Sequence, residues 1–185
     1  MTPDGRATAP TTILETERLL LRHHTLDDAP FVLRLLNEPA WLRFIGDRGV
    51  RTLEDARGYI ETKLIGSYRR HSFGLYLVAL KGDAGPIGMC GLIRRESLED
   101  VDLGFAFLSQ HWGHGYAQEA GAAVLAHARG AHGLKRIVAV TKVDNHASIK
   151  VLERLGFRYE RWVQVADGEP ENKLFAYEFP EGVLP

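Results

Sequence analysis

Two short stretches of the chain combine residue types and spacings that chemistry can use. In the first, Gln110-His111-Trp112-Gly113-His114-Gly115-Tyr116-Ala117, two closely spaced glycines separate an alternating apolar run, Val101 to Leu108, from an alanine-rich stretch. A strand that breaks at such a turn and enters a helix at once leaves several backbone N–H groups unpaired at the positive end of the helix dipole. That point suits an anion, although glycine pairs also build turns that bind nothing. In the second stretch, Asn145 and Ser148 stand three apart where a helix should begin, so their side chains face the same way. Asn145 serves there equally well as a plain N-cap.

A third candidate is Asp102, which shares a strand face with Gly104 and Ala106. Small residues fit a face that a ligand approaches, and a carboxylate on it can act as a general base. Asp102 also stands beside Glu99 and Asp100, where it could be no more than the solvated end of a loop. His111 and His114 flank the glycine turn and are better placed to bond an anion than to deprotonate an amine. Cys90, in a strand with Met89 and Leu92, reads as a buried, inert thiol rather than an acyl-carrying nucleophile. No His, Cys and Asp cluster has metal-ligand spacing, so no metal is expected.

Spacing narrows the anion. A dinucleotide fingerprint needs a third glycine where Gln118 stands, and a nucleoside-triphosphate loop needs Gly-Lys-Ser or Gly-Lys-Thr, which occurs nowhere. A formal net charge of -1 over 185 residues supplies no global attraction to nucleic acid or an acidic membrane. The apolar runs are too short to span a bilayer, the single cysteine excludes an intramolecular disulfide, and no basic-then-apolar leader precedes Thr16. A cytoplasmic protein is the resulting expectation.

The elements that would position these residues follow from periodicity. Residues 1–12 read as a loose tail and 13–185 as one domain. Glu17 to Arg22 reads as a strand. The pair Asp27-Asp28 then caps a helix carrying Phe31, Val32, Leu35 and Leu36, which Pro39 should close. Trp41 to Val50 reads as loop. Thr52, with Asp55 three residues on, opens a helix reaching about Arg69. Trp41, Phe44, Tyr59 and Tyr68 on this stretch read mostly as core. Phe73 to Leu80 and Pro86 to Arg94 form a hairpin across Lys81 to Gly85, followed by the Val101 strand. A helix from Gly115 to about Gly130 leads into a buried strand, Lys135 to Val143. Strand, helix and strand make a βαβ unit whose strands should be parallel. Asn145 opens a short helix stopped at Gly156, and Phe157 to Val165 and Lys173 to Phe179 form a last hairpin across Asp167-Gly168.

The residues also resemble a known family. Gln110, Gly113, Gly115, Tyr116-Ala117 and Glu119-Ala120 look like the acetyl-CoA pyrophosphate loop of the GNAT N-acetyltransferases. Asn145, Ser148 and Val151-Leu152-Glu153-Arg154-Leu155-Gly156-Phe157 look like its second signature. Thr16-Glu17-Arg18-Leu19-Leu20-Leu21-Arg22 and Asp27-Asp28-Ala29 are similar to the branch that acetylates N-termini of ribosomal proteins. The resemblance implies a mixed α/β fold: a twisted sheet of about six to seven strands, mostly antiparallel, with one parallel pair splayed to hold coenzyme A, and about four helices. It implies acetyl-CoA as co-substrate, an amine-bearing acceptor, and a monomer or homodimer. It further implies that backbone N–H groups of Trp112, Gly113, His114, Gly115, Tyr116 and Ala117 cradle the pyrophosphate. The pantetheine arm would pair with the backbone at Phe105 and Phe107, and Asn145 would hold its amide. Many members carry a tyrosine where this chain has Leu152; Ser148 is the replacement candidate for protonating the departing thiolate.

Acyl transfer in the family is direct attack of a neutral amine on the thioester. An α-amine of pKa about 7.7–8.0 needs only about one unit of help at neutral pH, whereas a lysine near 10.4 needs roughly 4–5 kcal/mol. A protein N-terminus is therefore the favoured acceptor and Asp102 the candidate base. Acetylation of a small amine is the alternative, suggested by the acidic run Glu96, Glu99, Asp100 and Asp102. A non-catalytic acyl-CoA-binding module is the reading outside enzymes.

Overall fold

The computed structural model describes residues 11–82, 85–166, 168 and 170–180. Among them, eight strands form one sheet in the order β1-β2-β3-β4-β5-β6-β8-β7. The strands are β1 (Thr12–Glu15), β2 (Leu19–Arg22), β3 (Leu75–Leu80), β4 (Pro86–Ile93), β5 (Asp102–Phe107), β6 (Arg136–Thr141), β7 (Arg158–Val163) and β8 (Asn172–Glu178). All neighbours pair antiparallel except β5 and β6, which are parallel, as the βαβ reading requires. The strand count exceeds the expectation because Thr12–Glu15, with only four residues and no clear alternation, pairs with β2. Thr12 thus lies in a strand and not in a tail, while residues 1–10 lie outside the described residues, as do Asp83 and Ala84 of the first hairpin turn and Asp167 of the last.

The helices are α1 (Ala29–Leu36), α2 (Pro39–Phe44), α3 (Leu53–Tyr59), α4 (Gly66–His71), α5 (Tyr116–His132) and α6 (His146–Arg154). Pro39 does not end a helix: it opens α2 at the first position, where its missing N–H costs nothing, so part of the expected Trp41 loop is helical. A 3-10 turn, Leu26–Asp28, capped by Thr25 in a box with Asp28, leads into α1, whose N-cap position is Asp28 as expected, although the Asp28 carboxylate is turned to the Thr25 box and to Arg22 at 2.7 Å. Thr52 and Asp55 form the expected box. A π-helical segment, Ile60–Ile65, joins α3 to α4, so the long helix read from Thr52 is continuous but wider at its centre.

Two layers of core hold the sheet. Helices α1 to α3 bury Val32, Leu35, Trp41 and Ala56, and the π-helical segment Ile60, against Leu77, Ala79, Met89 and Leu108 on one face. On the other, α5 lays Ala120, Val124 and Ala128 close to the strands, and α6 adds Leu152. Gly121 permits α5 and α6 to meet, since a Cβ there would lie 2.7 Å from Leu155 Cδ1. No helix of the described residues is long and apolar enough to cross a membrane.

Candidate active site

Strands β5 and β6 share a single register pair, Asp102 with Val138, and then part. The Val138 N–H donates to Val101 C=O at 2.9 Å, and a regular parallel ladder would next bond the Val140 N–H to Leu103 C=O. Instead the Val140 N–H donates to Asp102 Oδ1 at 3.3 Å. The carboxylate stands where the next rung would be, and the strands diverge beyond it.

Backbone alternation decides what faces the opening. Because Val101 C=O points to β6 and the Leu108 N–H bonds Ile87 C=O on β4, the odd-numbered residues of β5 turn their peptide groups toward the gap. Phe105 and Phe107, the residues expected to pair with a pantetheine arm, are among them. At Phe107 the carbonyl is already taken by the Trp112 indole N–H at 2.9 Å, which leaves the amide. Asp102, Gly104 and Ala106 occupy the face opposite to the side chains of Leu103, Phe105 and Phe107, and Ala106 packs with the α1 to α3 layer.

At the wide end of the gap, Gly113 (φ 80°) and Gly115 (φ 79°) are both left-handed, which glycine adopts without penalty. The backbone N–H groups from Gly113 to Ala117 make no hydrogen bond within the described residues and sit at the start of a 17-residue helix. A pyrophosphate fits this cradle: a row of free donors, a helix dipole and no Cβ over either glycine. Gln110 is steadied by Arg34, which donates to its Oε1 at 2.7 Å. His114 stacks on Tyr116. On the opposite wall, Asn145 Oδ1 accepts the Ser148 N–H at 3.2 Å. The cap uses the oxygen of Asn145 and leaves its amide N–H groups free, so capping and ligand binding are compatible. Ser148 is half-buried and its hydroxyl makes no hydrogen bond within the described residues. Leu152 is buried in the core, so no polar group comes from that position.

Side-chain contacts within and between elements hold the two walls. Arg95 pairs with Asp102 at 2.5 Å. Burial pushes the Asp102 carboxyl above its ordinary range, with Arg95 and the Val140 N–H pulling the other way. Arg43 on α2 pairs with Asp144 at 2.9 Å while its carbonyl accepts from Lys142 at 2.6 Å, tying α2 to the turn before Asn145. Glu119 in the first turn of α5 accepts from Thr16 Oγ1 and Arg18 Nε, both at 2.6 Å. The acidic run is less acidic than it reads, because Asp100 pairs with Arg136 and Asp102 with Arg95. Cys90 is fully buried, and burial pushes its thiol up to about 12. Among the described residues no three His, Cys, Asp or Glu side chains converge on a metal position.

Known proteins share this arrangement. Residues 18–158 match the model of the acetyltransferase (GNAT) domain. The chain is 31% identical over 150 residues to the uncharacterized N-acetyltransferase YoaA of Bacillus subtilis, spanning 80% of this chain and 84% of that protein. It is similar in structure to an acetyltransferase from Agrobacterium tumefaciens, with TM-score 0.77 and 25% identity over 95% of this chain and 100% of the other. It shares its fold with RimL, a ribosomal L7/L12 alpha-N-protein acetyltransferase solved with coenzyme A, with TM-score 0.77 and 21% identity over 91% and 98% of the two chains. With the splayed strands, the free N–H cradle and these matches in hand, the chain belongs to the GNAT family and is an N-acetyltransferase that takes its acetyl group from acetyl-CoA.

Proposed function

We propose that this enzyme acetylates the α-amine of a protein N-terminus by direct attack within a ternary complex. The observation that carries the reading is the parting of β5 and β6 at a buried carboxylate, Asp102, on the sheet face that α1 to α3 cover. Likeness of fold to RimL, named for the α-amine of a ribosomal protein, supports the same acceptor class. An α-amine also asks least of the base.

In this reading the N–H groups of Gly113 to Ala117, with Gln110 beside them, hold the pyrophosphate; the Trp112 N–H, expected to join them, instead donates to Ser109 C=O at 3.1 Å. Phe105 and Phe107 pair through their backbone with the pantetheine, and the free amide of Asn145 orients it. Acetyl-CoA supplies the activated acyl carbon as a thioester. Asp102, raised in pKa by burial, accepts a proton from the incoming ammonium through a water, and its Oδ1 and Oδ2 each keep a lone pair for that bond. A backbone N–H on the gap side of β5 steadies the oxyanion. The Ser148 hydroxyl, with no partner of its own among the described residues, gives a proton to the departing thiolate. The cytoplasmic setting expected from the sequence goes with this reading.

Incubating the protein with acetyl-CoA and a panel of N-terminal peptides, N-terminally blocked lysine peptides and small polyamines tests the acceptor. Mass spectrometry should find the acetyl group on free α-amines; acetylation of polyamines or blocked lysine peptides alone would overturn the α-amine assignment.

A further inference from the structure

The opening motif Thr16-Glu17-Arg18 has no part in the roles above, yet it lies against the donor loop. Arg18 Nη1 donates to His114 C=O at 3.0 Å, inside the glycine turn. Its Nε and Nη2 reach Glu119 Oε2, both at 2.6 Å, and its backbone N–H reaches Glu119 Oε1 at 2.9 Å. Thr16 Oγ1 completes the shell of Glu119. The guanidinium lies 4.7 Å from the Tyr116 ring centre, and a Cβ at Gly115 would meet Nη2 at 3.6 Å.

Glu119 is the difficulty this arrangement solves. A carboxylate in the first turn of α5 favours the helix by itself, but beside a phosphate cradle its charge opposes the anion. Its side chain is mostly buried, so water screens it poorly. We propose that Arg18 is a positioning residue of the donor site: it fixes the His114 carbonyl, and with it the direction of the loop N–H groups, and it neutralises Glu119 so that the cradle stays receptive to phosphate. The proposal rests on the reading of Gly113 to Ala117 as that cradle. The contact spans about a hundred residues of sequence and ties the first strands to the donor loop.

Two consequences separate this from a merely structural contact. Loss of Arg18 should weaken the donor and not the acceptor, and removing the then unneutralised charge of Glu119 should repair part of the damage. Calorimetry with acetyl-CoA and steady-state kinetics on wild type, Arg18→Ala, Arg18→Lys, Glu119→Gln and the Arg18→Ala/Glu119→Gln pair measure both. Arg18→Ala should raise Kd and KM for acetyl-CoA about tenfold, with kcat and acceptor KM within about twofold. Arg18→Lys, which keeps the charge but not the planar fork, should lose about threefold. The double variant should bind acetyl-CoA more tightly than Arg18→Ala. Equal donor affinity across the series, or a double variant weaker than Arg18→Ala, overturns the proposal. If Arg18→Ala does not fold, Arg18→Lys and Glu119→Gln carry the same comparison. A wild type that binds no acetyl-CoA would instead overturn the cradle itself, and that result is distinct from equal affinities among variants that bind.

Discussion

The Val140 N–H donates to Asp102 Oδ1 where a parallel ladder would offer it Leu103 C=O. One side chain thereby does two things: it ends the pairing of β5 and β6, and it is held buried at the point where they part. The pair explains how a sheet that is continuous on both flanks can open in its middle without leaving the Val140 amide unsatisfied.

Asp102→Asn keeps an acceptor for Val140 and removes the charge. Turnover should fall about a hundredfold or more while acetyl-CoA affinity changes little. In the wild type, protonation of Asp102 at low pH removes the base, so kcat/KM should rise with pH through a pKa above the ordinary carboxylate range, as its burial dictates. The variant should lack that rise. An unchanged pH profile would assign the base elsewhere.

Ser148→Ala should lower kcat by about ten- to a hundredfold and leave the Kd for acetyl-CoA unaltered, because the Ser148 backbone N–H, not its hydroxyl, makes the bond to Asn145. A full-rate Ser148→Ala enzyme would mean that the thiolate leaves without this proton.

Gly113→Ala and Gly115→Ala test the cradle. Each imposes a side chain on a left-handed residue at a cost of about 1–2 kcal/mol. The new methyl at Gly113 meets nothing within 4 Å, so packing is unaffected. Donor affinity should fall more steeply than the melting temperature, measured by calorimetry and thermal unfolding on the same samples.

His24 predicts acid lability. It is buried, its Nδ1 lies 3.0 Å from the Tyr68 hydroxyl, and its Nε2 has no partner among the described residues. Burial lowers its pKa to about 4 from the ordinary 6.5 of a histidine. The unfolded chain therefore binds a proton that the folded chain refuses between these values. Stability should be fully present above about pH 6.5 and should decline by roughly 3 kcal/mol as pH falls toward 4. Urea unfolding across this range should show the slope in the wild type and a shallower one in His24→Gln.

Cys90 should resist alkylation by iodoacetamide in the native protein and react only on unfolding, as a fully buried thiol with a raised pKa requires. Cys90→Ala should retain turnover, which an acyl-cysteine pathway would forbid.

Local physics wrote much of this molecule into its sequence. The glycine turn before an alanine-rich helix, the Thr52 box, the Asn145 cap and the βαβ order all depend on neighbours a few residues apart, so period and spacing were enough to place them. The short β1 and the helix opened by Pro39 escaped because four to six residues carry too little pattern against the signals of tail and turn. What the tertiary structure alone decided is the pairing of distant charges, Arg43 with Asp144 and Arg18 with Glu119, and the meeting of the Val140 N–H with Asp102 across the parallel strands. An arginine in a sequence declares its charge but not its partner, since the partner is chosen by the sheet order that brings residues about a hundred positions apart within bonding distance. For the same reason Asp102, which reads as one acid in an acidic loop, became the buried carboxylate at which β5 and β6 part.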